Sequence, residues 1–236
     1  MALILLIETG TDICSVGIAR DGELLSLRES DQGRDHAKKV ALFVDELLRE
    51  TGLQPDELDA VAVGMGPGSY TGLRIGVSFA KGLCYGLGKP LIAVGSLDSL
   101  AAVAREDFEA GILDIEHWEQ ARLCPMVDAR RMEVYTQIFD TEGKPLTEVS
   151  AEVITPESFA ELRREPKAPL VIFGNGAEKC REMLPDALWV DVAPSARGLV
   201  RPAQEAFEAG RFEDVAYFEP FYLKDFVVIP SKKKLL

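Results

Sequence analysis

Apolar segments and polar turns alternate through the first thirty residues and predict an antiparallel meander. Leu3 to Ile7 is uniformly apolar, as in a strand covered on both faces, and Cys14 to Arg20 predicts a second strand. Asp21-Gly22, followed by apolar Leu24 to Leu27, is a strong hairpin signal. The chain is therefore expected to open with three antiparallel strands.

Helical spacing follows the meander. Apolar residues recur every three or four positions from Ala37 to Leu48 and the run stops at Gly52, which predicts a helix from His36 to Glu50. The next predicted elements are a strand at Leu58 to Gly64, a glycine-rich turn at Gly64 to Gly72, a helix at Leu73 to Leu87, a strand at Pro90 to Val94 and a helix through Ala104 with Ser96 as its N-cap. This order predicts an α/β fold, with helices packed on a mixed sheet.

The composition changes at Glu106 to Glu119, a stretch that is rich in acidic residues and has no Lys or Arg. We therefore predict two lobes, residues 1–104 and 105–236. In the second lobe the pattern predicts strands at Leu123 to Val127, Glu133 to Phe139, Leu146 to Ile154 and Leu170 to Phe173, a helix beginning at Thr155-Pro156-Glu157 and a late helix at Pro202 to Glu208. Both halves open with strands, which suggests an internal duplication.

The overall charge and the cysteines narrow the class of protein. A formal net charge of −13 argues against a free-standing nucleic-acid binder. The 236 residues contain no apolar run of the ~20 that cross a bilayer. The four cysteines are far apart and form no zinc motif. These features together favour a cytoplasmic protein with reduced thiols.

Several polar motifs have both a functional and a purely structural interpretation. The Gly64 to Gly72 loop joins a strand to a helix, where backbone amides bind anions, but it matches no phosphate signature and a tight turn is the favoured interpretation. Glu8, Asp12 and Asp128 stand at strand ends, as Mg²⁺ ligands or as turn residues. The two histidines, His36 and His117, form no metal pair, and no catalytic triad can be assembled from them. Lys232 to Lys234, with Lys224, is either a phosphate contact or a solvated tail.

The two longest predicted helices carry more apolar surface than one sheet can cover. Between Leu73 and Leu87 the only polar side chains, Arg74, Ser78, Lys81 and Tyr85, follow one narrow stripe. Gly72, Gly76 and Ala80 repeat every four residues, a spacing that allows another helix to approach closely, and Phe43 lies outside the main apolar stripe of the first helix. This pattern is typical either of a partner surface or of a buried core.

One segment identifies a family. Gly64-Met65-Gly66-Pro67-Gly68-Ser69-Tyr70-Thr71-Gly72-Leu73-Arg74-Ile75-Gly76 resembles the signature of the bacterial TsaB (YeaZ) family. Leu6-Ile7-Glu8-Thr9, Val127 to Tyr135 and Glu219-Pro220-Phe221-Tyr222-Leu223 resemble other family segments in the same order. The resemblance implies a two-lobed fold of the actin, Hsp70 and sugar-kinase (ASKHA) class. Each lobe would be a ribonuclease H-like mixed sheet with helices, and the C-terminal tail would return to the first lobe.

The resemblance also implies a function. TsaB-type proteins are non-catalytic subunits of the system that makes threonylcarbamoyladenosine next to the anticodon of tRNA. They bind and stabilise a TsaD-type catalytic paralogue as a heterodimer and help recruit a TsaE-type ATPase and tRNA. The sequence leaves open whether the chain also forms a homodimer through the same helices when it is alone. The chain would then have no catalytic or metal-binding residue and no cofactor of its own, and ATP or ADP with Mg²⁺ would act only through its partners.

Two departures from catalytic relatives agree with that role. TsaD-type subunits have a metal-binding HxxxH pair on the first helix, where this chain has His36 and Val40, and Glu8 stands where the family usually has Asp. Any nucleotide contact would fall at Glu8, Thr9 and Thr11. Gly174-Asn175-Gly176 resembles a shortened second phosphate loop. The alternative is an independent ATPase or kinase of the same fold, or a metalloprotease.

The resemblance places the partner surface on the two long helices. The expected interface residues are His36, Val40, Phe43, Leu47, Tyr70, Thr71, Arg74, Ile75, Gly76, Phe79 and Leu83.

Overall fold

The computed structural model of the protein describes residues 2–32 and 35–224. Its strands are β1 (Leu3–Glu8), β2 (Cys14–Arg20), β3 (Glu23–Ser30), β4 (Ala60–Gly66), β5 (Leu91–Gly95), β6 (Arg122–Asp128), β7 (Glu133–Thr136), β8 (Ser150–Val153), β9 (Leu170–Phe173) and β10 (Leu188–Trp189). Its α-helices are α1 (His36–Thr51), α2 (Tyr70–Leu87), α3 (Ser96–Glu109), α4 (Ala160–Arg163) and α5 (Val200–Glu208). The predicted α/β class and the opening meander are confirmed.

The ten described strands form two sheets with the same topology. The first sheet has the order β3-β2-β1-β4-β5 and the second the order β10-β9-β6-β7-β8. In each sheet the first three strands of the half are antiparallel, and the remaining two add in parallel beside the first. Thus β6 corresponds to β1 and β9 to β4, which confirms the duplication suggested by the sequence.

Helices from distant parts of the chain cover both faces of the first sheet. Leu3, Leu5 and Ile7 on one face of β1 pack in the same cluster as α1 and α2. Ile4 and Leu6 on the other face pack with Ala203 and its neighbours in α5. Because successive strand residues point to opposite faces, a strand covered on both sides needs the unbroken apolar run seen here. The chain therefore returns to its first sheet after completing the second.

The helix that follows β5 is longer than the pattern predicts, and its start differs. Gly95 is the N-cap of α3 and Ser96 is its first residue, so the predicted N-cap is wrong by one position. The helix continues past 104 to Glu109. Its acidic last turn pairs with Arg197 and Arg201, which follow the second sheet in the sequence, as described below. The two-lobe division at 104 stays a prediction, and that position lies inside α3.

Two elements of the second half are shorter than predicted. β7 ends at Thr136, because Ile138 donates its backbone N–H to Thr147 Oγ1 and Phe139 bridges to Leu123 instead of continuing the strand. β8 correspondingly covers only Ser150–Val153. The helix predicted at Thr155-Pro156-Glu157 begins later, as the single turn α4.

Candidate partner interface

A groove of about 640 Å³ runs between α1 and α2. Ser69 starts α2, since its side chain accepts a hydrogen bond from Gly72 N at 3.3 Å, and Gly52 and Gly88 end the two helices in the left-handed conformation. The groove is lined by Ala37, Val40, Tyr70, Thr71, Arg74, Ile75, Ser78 and Phe79. Most of these residues lie among those predicted for the partner surface.

The structure separates the predicted interface residues into an accessible group and a buried group. Accessible or half-buried are Tyr70, Thr71, Arg74, Ile75, Phe79 and Leu83. Phe43 and Leu47 are buried in the core between the first sheet and its helices, and Val40 forms the floor of the groove at 1% exposure. The interpretation that Phe43 lies outside the core-facing stripe is therefore wrong. Leu42, beside it, is the large hydrophobic residue of α1 that is exposed, at 45%.

His36 is also buried, and its role is structural. Its ring Nε2 lies 3.0 Å from the backbone oxygen of Thr11. A carbonyl oxygen only accepts, so the ring nitrogen donates. The contact fastens the start of α1 to the turn after β1, which accounts for a histidine at this position without a metal.

Gly72 and Gly76 of α2 face the turn that follows β1 and not a second helix, which corrects the expectation from their spacing. A Cβ at Gly72 would overlap the Thr9 carbonyl oxygen, and a Cβ at Gly76 would overlap Thr9 Oγ1. Thr9 Oγ1 in turn donates a 2.8 Å hydrogen bond to the Gly72 carbonyl oxygen. Gly76 therefore lies beneath the groove surface, where only glycine lets α2 sit against the turn.

A C-terminal segment extends the surface of α2, and the sequence pattern did not reveal its position. Lys81 Nζ donates to the carbonyl oxygens of Phe218, at 2.7 Å, and Ala216. Further on, Phe221 N donates to Met65 O at 2.8 Å. The only signal in the sequence was the resemblance of Glu219 to Leu223 to a family segment, which implied a return of the tail to the first lobe but not its position beside α2.

An aromatic and cationic cluster joins this segment to the start of α2. The Tyr70 and Tyr222 rings lie 4.9 Å apart, and Arg74 Nη1 donates to the Tyr70 hydroxyl at 2.7 Å. That hydrogen bond is the main cause that raises the pKa of Arg74. The guanidinium therefore stays charged at the rim of an otherwise apolar groove.

Glu8 lies inside the fold at the end of β1. Its Oε1 accepts from Gly10 N at 2.7 Å, while Oε2 is buried and makes no hydrogen bond of normal geometry with a described residue. Burial raises the pKa of Glu8 to about 7, against the lowering effect of the Gly10 and Thr9 amides and the nearby Ser96 hydroxyl. A Cβ at position 64 would collide with this carboxylate, and Gly64 has none. The side chain fills the space beside the turn.

The glycine-rich loop is closed against this turn. Ser69 N donates to Gly10 O at 2.6 Å, and a Cβ at Gly68 would overlap the same carbonyl. Thr11 Oγ1 accepts from Ile13 N. Thr9 Oγ1, Gly10 N and Ser69 N are thus all engaged in hydrogen bonds within the chain. The tight-turn interpretation of the loop describes what the structure contains.

The other carboxylates considered as Mg²⁺ ligands are apart from one another. Asp12 is exposed, whereas Asp128 pairs with Lys179. Asn175 Oδ1 accepts from Asp128 N, so the Gly174-Asn175-Gly176 loop is folded against the end of β6. Within residues 2–32 and 35–224, no three His, Cys, Asp or Glu side chains are grouped as a metal site, and no helix there is both long and apolar enough to cross a membrane. Lys232 to Lys234 lie outside the described residues.

The acidic stretch has a structural role that the sequence did not indicate. Arg197 Nη2 donates to both carboxylate oxygens of Asp107, at 2.8 and 2.9 Å, and its Nη1 donates to Glu106 at 3.0 Å. Arg201 pairs with Glu109, one turn later on α3. These bonds join α3 to the segment that returns to the first sheet. Only a pattern linking residues about 90 positions apart would have predicted them.

Comparison with known proteins matches most of the chain. Residues 28–221 match the sequence model of the family described as TsaD, tRNA N6-adenosine threonylcarbamoyltransferase. The protein named tRNA threonylcarbamoyladenosine biosynthesis protein TsaB is 29% identical both in Bacillus subtilis, over 94% of this chain and 93% of that one, and in Escherichia coli, over 98% and 99%. The solved structure of YeaZ from Pseudomonas aeruginosa superposes with a TM-score of 0.77 at 26% identity, covering 94% of this chain and all of that one.

Proposed function

Because the chain belongs to the TsaD sequence family and, within it, to the TsaB (YeaZ) branch, we propose that it is a non-catalytic subunit of a tRNA threonylcarbamoyladenosine-forming complex. The observation that carries the proposal is the match to TsaB proteins over nearly their full length. In this role the chain binds and stabilises a TsaD-type catalytic subunit, and a TsaE-type ATPase and tRNA join the assembly. Its tRNA substrate places the complex in the cytoplasm.

The groove between α1 and α2 supports a helical partner. Its rim is apolar at Ile75 and Phe79 and charged only at Arg74, a composition typical of the centre of a protein interface. Because the TsaD family has the same fold, the partner offers a corresponding helix pair, and an isologous homodimer forms through this groove when the partner is absent.

The closed turn at Glu8 supports the absence of catalysis by the chain alone. Its carboxylate fills the space next to Gly64, and Thr9 Oγ1 is bonded to α2. We therefore assign ATP or ADP and Mg²⁺ to the partner subunits. The isolated chain is expected to show no Mg-dependent ATP turnover at high protein concentration.

Light scattering on a sizing column tests partner binding directly. The full chain, mixed with its TsaD-type partner at low micromolar concentration, is expected to elute at the mass of a heterodimer. Ser78→Arg places a long cation in the groove at an exposed position, so it should weaken complex formation by at least tenfold without changing the thermal midpoint.

Ala110→Arg is the matched control, since Ala110 is exposed at the end of α3, away from the groove. Normal partner affinity of the Ser78→Arg protein would show that the groove is not the interface. Separate elution of the two unmodified proteins, with nucleotide and tRNA present, would contradict the proposed function itself.

A further inference from the structure

The hairpin between β6 and β7 carries a local excess of positive charge on an acidic protein. Asp128 at its base pairs with Lys179, and Glu133 on the other strand pairs with Lys224. Arg130 and Arg131, at the tip, are exposed, and neither guanidinium makes a hydrogen bond or ion pair with a described residue. The lysines neutralise both carboxylates, so the two arginines give this hairpin its excess charge.

The backbone at the tip is unfavourable for arginine. Arg130 has φ 72° and Arg131 has φ 52°, in the left-handed region that Gly, Asn and Asp adopt most readily. A hairpin selected only for folding has residues such as Asn and Gly at these positions. Strained residues that persist together point to a function of their side chains.

An aromatic ring and a further cation lie beside the tip. Tyr135 is half-buried on β7, and burial raises its pKa while Lys224 and Arg130 are close enough to lower it. Two residues before Lys224, the Tyr222 ring packs on Tyr70 at the start of α2. Lys224, which pairs with Glu133, therefore connects the hairpin to the segment that borders the partner groove at Tyr70.

We propose that the basic hairpin, defined as Arg130, Arg131, Tyr135 and Lys224, contacts the phosphate backbone of the tRNA bound by the complex. Two exposed arginines whose guanidinium groups make no hydrogen bond or ion pair with a described residue suit phosphate oxygens. The net charge of −13 does not prevent this contact, since at physiological salt charges beyond about 8 Å are largely screened. This inference rests on the proposed function, which supplies the RNA.

The test uses the full chain, alone and with its TsaD-type partner, and a fluorescein-labelled tRNA transcript titrated by anisotropy from 50 to 200 mM salt. Replacing Arg130→Asn and Arg131→Gly together removes both cations and suits the backbone. We expect tRNA affinity to fall about tenfold and the salt slope to decrease by about 2. The thermal midpoint should be no lower than that of the unmodified chain, which separates loss of contact from loss of fold.

The control is Arg20→Gln with Arg211→Gln, which changes the net charge equally. Arg20 pairs with Leu3 at the start of β1, and Arg211 precedes Glu213, which bridges to Leu91 at the start of β5. Both are exposed at the end of the first sheet where β1 and β5 begin, opposite the end that holds Glu8. The control is expected to keep tRNA affinity within twofold.

Three results would overturn the inference. Unchanged tRNA affinity of the hairpin variant would exclude a phosphate contact. Loss of co-elution with the protein partner, with unchanged tRNA binding, would make the hairpin a surface for acidic protein groups. Absence of tRNA binding by the unmodified chain at 50 mM salt, both alone and with the partner, would also overturn it. If the partner does not co-elute with the unmodified chain, the proposed function fails and this inference fails with it, whereas an intact complex in which the hairpin variant keeps its tRNA affinity overturns the inference alone.

Discussion

At the scale of single residues, Glu8 shows how a functional position can become part of the core. Its place at a strand end is visible in the sequence, and so is the unusual choice of Glu. The closed turn is not, because it depends on the approach of Gly10, Gly64 and Ser69 from separate segments. The sequence predicted a turn after β1, and only the structure shows which residues of other segments close it.

The raised pKa of Glu8 predicts a specific pH dependence of stability. In the folded protein the Glu8 carboxyl keeps its proton up to about pH 7, whereas the ordinary pKa of a glutamate is 4.5. The resulting stabilisation is fully present below pH 4.5 and is lost as the pH rises through 7, which lowers the free energy of unfolding by about 3 kcal/mol. Glu8→Gln should therefore match the unmodified chain near pH 4.5 and exceed its free energy of unfolding at pH 8, measured by urea denaturation. A constant difference between the two proteins across this range would contradict the assignment.

At the scale of elements, α2 was predicted correctly as a helix but its glycines were assigned to the wrong neighbour. Helical periodicity reports which residues share a face, and Gly72 and Gly76 do share one. It does not report what that face meets. The turn at Thr9 is about 60 residues away in sequence, and its carbonyl and hydroxyl occupy the space that a second helix was expected to fill.

Two glycines of the same helix are expected to respond in opposite directions to alanine. Gly76→Ala drives a methyl group into Thr9 Oγ1 and should lower the free energy of unfolding by about 1–3 kcal/mol. Gly82 is exposed with no atom within 4 Å of its Cβ position, so Gly82→Ala should raise it by about 0.5–1 kcal/mol. Thermal and urea unfolding measure the free energy of unfolding of both variants. Equal effects would show that α2 does not press against the turn.

At the scale of the whole molecule, the fold class, the meander and the duplication were predictable, and the connections between the halves were not. Periodicity is a local signal, so it locates strands such as β1 and β6 accurately. The ion pairs of Arg197 and the packing of α5 on β1 are long-range and leave no local pattern. The same limit applies to the groove: its helices were predicted, and the resemblance implied that the tail returns to the first lobe, but not that the segment near Tyr222 borders the groove.

Arg197 is expected to contribute more to stability than its neighbour Arg201. Asp107 is 5% exposed, so Arg197→Met leaves a buried carboxylate without its partner and should cost about 2–3 kcal/mol. Arg201 and Glu109 are both about half exposed, and Arg201→Met should cost less than about 1 kcal/mol. Chemical denaturation of both variants tests the ranking. Adding Asp107→Asn to Arg197→Met should recover part of the loss, and no recovery would argue against a buried-charge penalty.

The return of α5 to the first sheet has a consequence for the order in which the protein is made. Ribosomes deliver the chain from its N-terminus, and a domain ordinarily folds as soon as its own residues have emerged. Here the sheet face that carries Ile4 and Leu6 is covered only after residues 200–208 have been synthesised. Until these residues have emerged from the ribosome, the first half therefore exposes an apolar sheet face to which chaperones can bind.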